Sequence, residues 1–193
     1  VGHLLDKLEE LNIDDNTIVF FLSDNGGPKK SGSSNGILRD GKGSLHEGGI
    51  RVPFAVQWPS VIPKGKEYHH PIISLDIFAT AIAQAGVNSK NILDGVDLIP
   101  YLTGKETKVP HEELYWRKFD QGGFAIRKGD LKLVKMRGDV ELYNINLDIS
   151  EKNKIESQKQ VFDSLRQSYE RWNALNIDPV FLGLMKDKQY NKK

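Results

Sequence analysis

Thr17-Ile18-Val19-Phe20-Phe21-Leu22 is the segment that most constrains what this chain can become. Six strand-forming residues, apolar at almost every position, leave no polar side for water. A strand of this kind is covered on both faces, as a central strand of a parallel sheet is. The run stops at Ser23-Asp24-Asn25-Gly26-Gly27. Ligands of open α/β sheets bind at the carboxyl ends of the strands, so this turn is where chemistry is sought first. Asp24 and Asn25 set a carboxylate beside an amide oxygen, two hard ligands of the kind Ca²⁺ or Mg²⁺ takes. The same residues, with two glycines behind them, are also ordinary turn formers, and spacing alone leaves both readings open. Ca²⁺ takes about 6–8 oxygens, so two neighbouring side chains cannot fill its shell. No other acidic cluster stands at a strand end, and further carboxylates would have to come from sequence outside these residues.

The rest of the chain alternates in type. Leu4, Leu5, Leu8 and Leu11 recur at helical spacing over residues 1–11. Residues 28–49 are rich in Gly, Ser and Lys without a period, a length of loop that is usually functional or mobile. A second strand is expected at 51–58, with Pro53 near its start. Ser74 is the expected cap of a helix carrying Ile77, Phe78, Ala81, Ile82 and Ala85, with Gly86 just past its end. A turn at Asp94-Gly95 and a short helical piece at 98–102, stopped by Gly104, follow. The pattern changes in the polar stretch 105–110, which divides the chain into domains at 1–108 and 109–193. Beyond it, short strands at 113–117, 123–127, 131–135 and 141–143 are separated by Gly129-Asp130 and Gly138-Asp139, the spacing of an antiparallel meander. A long helix at 155–175 shows an apolar stripe of Val161, Leu165, Tyr169 and Trp172, and the polar tail 186–193 is expected to fray.

Composition narrows the class. The 193 residues are 38% hydrophobic and 27% charged with a net charge of +1, and the mean hydropathy is −0.46. Those values argue for a globular chain without a membrane span. Residues 1–108 carry a net −2 and residues 109–193 a net +3, too little positive charge in either part for nucleic-acid binding. The absence of cysteine excludes disulfides, zinc–thiolate sites and a thiol nucleophile within this chain. The chain opens on Val1 with no signal peptide, which leads us to expect a cut by processing or truncation.

Several further residues could carry chemistry. Lys42, between Gly41 and Gly43, could neutralise a sulfate or phosphate oxygen as a point charge, or be a solvated loop lysine. Arg51 could pair with Asp24 or with Glu47, or simply face water. Gly32-Ser33-Ser34-Asn35-Gly36 fits the esterase pattern G-x-S-x-G but lacks the strand–elbow–helix context that pattern needs. His69 and His70 are adjacent and would point opposite ways on a strand, while His3, His46 and His111 are scattered and receive no role.

Taken together, residues 15–27, ending in Ser23-Asp24-Asn25-Gly26-Gly27, and residues 38–53, Leu38-Arg39-Asp40-Gly41-Lys42-Gly43-Ser44-Leu45-His46-Glu47-Gly48-Gly49-Ile50-Arg51-Val52-Pro53, resemble the sulfatase family of alkaline-phosphatase-like hydrolases. Asp94-Gly95-Val96-Asp97-Leu98 and Glu141-Leu142-Tyr143-Asn144 fit the same family in order and spacing. The fold the resemblance implies is α/β: the C-terminal part of a mixed sheet with flanking helices, then a small α+β subdomain with an antiparallel sheet and a long helix. By the same resemblance Asp24 and Asn25 are ligands of a calcium ion, with Mg²⁺ the lesser alternative. Lys42 is then the substrate-binding and catalytic lysine that contacts the sulfate.

Sulfatases take their nucleophile from a formylglycine, made from the first residue of Cys/Ser-x-Pro-x-Arg. This chain has no Cys, and none of its eight prolines has a Ser two positions before it. The resemblance therefore implies a C-terminal portion that lacks the nucleophile and is inactive alone, the missing N-terminal part of the same protein being its partner. Sulfated sugars or aryl sulfates are the implied substrates, and an extracytoplasmic setting (periplasmic, secreted or lysosomal) is implied by kinship alone. A phosphate or phosphonate ester hydrolase of the same superfamily, or a non-catalytic module binding sulfated glycans, are the alternatives.

Overall fold

The structure, a computed structural model, describes residues 1–180, so the tail expected at 186–193 lies outside the described residues. The elements run α1 (Gly2–Glu10), β1 (Val19–Leu22), α2 (Glu47–Ile50), β2 (Phe54–Gln57), α3 (Leu75–Gln84), α4 (Ile99–Leu102), β3 (Glu113–Lys118), β4 (Gly123–Lys128), β5 (Leu131–Lys135), β6 (Glu141–Asn144) and α5 (Lys159–Ala174). The architecture is mixed α/β, with a two-stranded sheet, a four-stranded antiparallel sheet and a long C-terminal helix. Two compact units are present: Val1–Leu22 with Pro53–Glu112, and Ser23–Val52 with the residues from Glu113 on.

In the first unit α1 forms where its leucines predict, but none of its residues is buried. β1 pairs antiparallel with β2, Val19 opposite Gln57 and Leu22 opposite Phe54. The expectation of a central parallel strand is therefore corrected. Among the described residues β1 has one neighbour, that neighbour runs the other way, and Phe21 is 49% exposed. An apolar run fixes that a strand needs cover; it carries no information on the direction of the strand beside it. β2 begins later than expected, after Pro53, whose nitrogen has no hydrogen to give a ladder.

α3 forms as expected but turns a different face inward. Ser74 makes no capping bond. Asp76 ties the helix start to its surroundings instead: its Oδ2 accepts the Ile73 N–H, just before the helix, at 2.8 Å, and its Oδ1 accepts the Val96 N–H at 2.9 Å. His111 Nε2 closes on the same carboxylate at 2.9 Å. The buried stripe is Asp76, Ala79 and Thr80, while Phe78 of the expected stripe is 61% exposed. Thr80 Oγ1 accepts the Leu98 N–H at 2.9 Å and ties α3 to the start of α4. The end of α3 matches its reading: Gly86 N donates to Ala83 O at 3.1 Å and Val87 N to Ile82 O at 2.9 Å.

The second unit is built on the meander β3-β4-β5-β6, each strand antiparallel to the next. Ile126 faces Leu133 and Leu133 faces Leu142 across the strands. With Leu165 and Tyr169 of α5 they form one apolar cluster. Tyr169 stacks on Phe124 with centroids 4.3 Å apart, and Trp172 stacks on Tyr115 at 4.9 Å. The opposite face holds Ala125, Val134 and Tyr143, packed with Leu45 and Ile145. The helix starts at Lys159 rather than 155, and Ile155 N donates instead to Leu142 O of β6 at 2.8 Å.

Candidate functional site

Asp24, Asn25 and Lys42 all belong to the second unit. The turn carrying the first two is fastened by backbone contacts to the loop carrying the third. Gly26 N donates to Gly49 O at 3.1 Å, and Lys42 N donates to Gly27 O at 3.3 Å. Only glycine allows this approach. A Cβ on Gly26 would overlap Gly48 O, and one on Gly41 would overlap Gly27 O. Asn35 adds a clamp of its own: its Oδ1 accepts the Gly27 N–H at 2.7 Å, and its Nδ2 donates to Gly27 O and to Asp40 O, each at 2.9 Å. The aperiodic stretch 28–49 is thus ordered by side-chain-to-backbone bonds rather than by regular structure.

With the backbones held, the functional ends stay free. Asp24 and Lys42 are exposed, and among the described residues neither side chain has a hydrogen-bond or ion-pair partner. Asn25 Nδ2 donates to Gly26 O at 3.0 Å, which leaves its Oδ1 uncommitted. Two hard oxygens and one ammonium are therefore presented on neighbouring backbone segments. In kind, the oxygens suit Ca²⁺; in number they do not complete its shell of about 6–8. Among the described residues no group of three or more His, Cys, Asp or Glu could hold a metal.

The loop 39–51 is seated on the β3–β6 sheet by charged groups. Arg39 NH1 donates to Glu141 Oε2 at 3.1 Å, to Tyr143 Oη at 2.7 Å and to Glu151 O at 3.1 Å. Burial alone would lower the Arg39 pKa, but Tyr143 and Glu141 outweigh it and raise it. His46, which received no role from the sequence, is 4% exposed. Its Nδ1 lies 2.6 Å from Asp40 Oδ2 and 3.1 Å from Ser44 Oγ. Burial works to raise the Asp40 carboxyl, but the hydrogen bond and charge of His46, with Ser44 and Lys29, together hold it below its ordinary value. Lys118, at the end of β3, donates to Gly43 O beside Lys42. Arg51, left between two partners by the sequence, sits 3.6 Å from Glu47 Oε2.

Of the Gly32–Gly36 motif only Asn35, the clamp described above, joins this arrangement, and the serine at the pattern's centre does not. Ser34 Oγ accepts the Gly36 N–H in an exposed turn. His3 and His69 are exposed beside Asp6 and Glu67 at 3.9 Å. Lys132 and Glu151 were not singled out by the sequence, and Glu47 only as a possible partner of Arg51, yet all three are buried. Their one sequence signal is a lysine between Leu131 and Leu133 in a strand that buries both faces.

Comparison with known proteins agrees with the motif resemblance. The Sulfatase family model matches residues 1–87. Over those residues the chain matches the sulfatase family. It is 41% identical over 125 residues to a steryl-sulfatase of Rattus norvegicus, across 60% of this chain and 22% of the relative. It is 38% identical over 139 residues to arylsulfatase A of Bos taurus, across 68% of this chain and 27% of the relative. The crystal structure of Ps i-CgsB in complex with k-i-k-neocarrahexaose superposes with a TM-score of 0.88 at 34% identity, over 98% of this chain and 44% of that one. The chain thus spans about a quarter of these curated relatives and less than half of the solved structure.

Proposed function

We propose that this chain is the C-terminal part of a sulfate-ester hydrolase and supplies part of the pocket that grips the sulfate group. The observation that carries the reading is the glycine-fastened pairing of the Asp24-Asn25 turn with the Lys42 loop, which joins the two backbone segments and leaves their polar side chains unspent. Asp24 and Asn25 would hold Ca²⁺ together with carboxylates from the remainder of the protein. When bound, such an ion polarises a sulfate oxygen as a Lewis acid. Lys42 offsets negative charge on the sulfate oxygens, an effect that counts most when charge develops in the transition state. The nucleophile comes from elsewhere in the polypeptide, since this chain contains neither Cys nor Ser-x-Pro.

The same reading accounts for the first unit. Among the described residues β1 has a free edge, and Phe21, Leu75 and Phe78 are exposed apolar side chains. The N-terminal part of the catalytic domain is their proposed cover. Sulfated carbohydrates are the proposed substrates, by likeness to the oligosaccharide-bound structure that matches nearly the whole chain; aryl sulfates are the model substrates that test it. No helix of the described residues is long and apolar enough to cross a membrane, and an extracytoplasmic setting follows from kinship. The test is Lys42→Ala in the full-length protein. Turnover of 4-nitrophenyl sulfate should fall about 10²–10³-fold, the range for removing one transition-state donor. Unchanged turnover would remove Lys42 from the mechanism.

A further inference from the structure

Beneath the candidate site lies a buried ion cluster that its chemistry does not use. Lys132 and Glu151 are 0% and 1% exposed, and Glu47 is 2% exposed. Lys132 Nζ donates to Glu47 Oε1 at 2.7 Å. It also lies 2.9 Å from Glu151 Oε1, an ion pair set off the line of a hydrogen bond. The other Glu151 oxygen accepts the backbone N–H of Glu47 at 2.6 Å, at the first residue of α2.

Two short backbone paths run outward from this cluster. Gly48, next to Glu47, donates its N–H to Arg39 O at 2.8 Å, three residues before Lys42. Gly49 O accepts the Gly26 N–H at 3.1 Å, one residue after Asn25. Glu151 O also accepts from Arg39 NH1 at 3.1 Å, which closes the ring. The cluster therefore fixes both backbone segments of the site at once.

Stability alone is a poor reason for such a cluster. Buried ion groups replaced by well-packed apolar residues are often as stable or more so. Charge-assisted bonds have direction, which hydrocarbon contacts lack. We propose that Lys132 is a positioning residue: through Glu47 and Glu151 it sets the separation between the Asp24-Asn25 turn and Lys42. This inference rests on the sulfate-gripping role assigned above.

The experiment uses the full-length protein with 4-nitrophenyl sulfate as substrate and inorganic sulfate as competitive inhibitor. Lys132→Met should lower kcat about 10²-fold, the loss expected for a misplacement of about 1 Å, and weaken inhibition by sulfate. Leu165→Ala, on the other face of the same sheet, serves as a control that destabilises without touching the loop. Its folded enzyme should keep kcat and sulfate inhibition within about twofold, since it alters no group that reaches the site. If Lys132→Met fails to fold, the neutral triple variant Lys132→Met, Glu47→Gln, Glu151→Gln takes its place, and it should fold and turn over slowly. Normal kcat and sulfate inhibition in the Lys132 variants, or equal losses in Leu165→Ala, would overturn the proposal. Lys42→Ala run beside them separates the two readings. If that variant is impaired while Lys132→Met is normal, positioning alone fails; if Lys42→Ala is normal, the underlying site falls and positioning falls with it.

Discussion

Lys132 and Leu133 are neighbours in β5 and both are fully buried, yet they point to opposite faces of one sheet and are held there by different forces. Leu133 faces α5 and shares an apolar cluster with Ile126, Leu142, Leu165 and Tyr169. Lys132 faces the loop 39–51 and is held between Glu47 and Glu151. The helix-bearing face tolerates small shifts, because dispersion and hydrophobic burial have little directional preference. The loop-bearing face does not, because each partner sits on a defined line. The difference matches what each face carries: a helix with no proposed chemistry on one side, and the proposed sulfate grip on the other.

The largest effect should come from breaking the charged side at its centre. Lys132→Met leaves two carboxylates buried without their shared cation, and loss of one partner of a buried ion pair costs about 3–5 kcal/mol. Equilibrium unfolding in urea measures it. Adding Glu47→Gln and Glu151→Gln should recover most of that loss, since the uncompensated charge is then gone. Recovery without function would show that the cluster serves geometry; failure to recover would show that it serves stability, and the contrast between the faces would collapse.

Leu165→Ala tests the other side. Leu165 is 3% exposed in the α5–sheet cluster, and a buried Leu→Ala exchange costs about 2–5 kcal/mol. No second substitution in the cluster should restore it unless it refills the volume. That asymmetry, rescue by neutralisation on one face and only by volume on the other, is the sharpest form of the comparison.

Acid should reveal the charged face with a smaller effect. Asp40 is held below its ordinary 3.8 by His46, Ser44 and Lys29 against the opposing pull of burial. A carboxylate with a lowered folded-state pKa stabilises the fold fully above its unfolded value and loses that contribution as pH falls through the lowered one. Asp40→Asn should therefore flatten part of the fall in melting temperature below about pH 3.8. Because half of the Asp40 side chain meets solvent, the change should be smaller than that of either buried substitution. An unaltered pH profile would mean that the His46 contact contributes nothing to stability.

How far the sequence announced these features depends on the range of the contacts involved. The meander and the stripe Val161, Leu165, Tyr169, Trp172 are visible because periods of 2 and 3.6 are local properties of the chain. β1 was visible as a strand, but its antiparallel partner lies more than thirty residues on, and nothing in 17–22 encodes that direction. In α3 the buried carboxylate of Asp76 is satisfied by Val96 and His111, 20 and 35 residues away, and no periodic signal marks such a residue. Asp24 and Asn25 stood out because they follow a strand ahead of two glycines, and Lys42 because it lies between two, but their roles came only from the family resemblance. Lys132 and Glu151 did not stand out, because their partner Glu47 is 85 and 104 residues away. The candidate residues that face solvent could be named from the sequence, and those that hold their backbones could not.

The smallest expected effect sets the floor of the comparison. On the outer surface of α5, Arg166 Nε lies 3.0 Å from Glu170 Oε1, with side chains 51% and 60% exposed. Its geometry resembles that of the Lys132–Glu47 pair in distance but not in surroundings. Water screens both charges, and an exposed i,i+4 pair contributes only about 0.3–0.5 kcal/mol. Glu170→Ala should therefore shift the urea midpoint barely beyond error and leave turnover untouched. A loss there comparable to that of Lys132→Met would mean that ion pairing itself, rather than its burial beneath the loop, is what the charged face depends on.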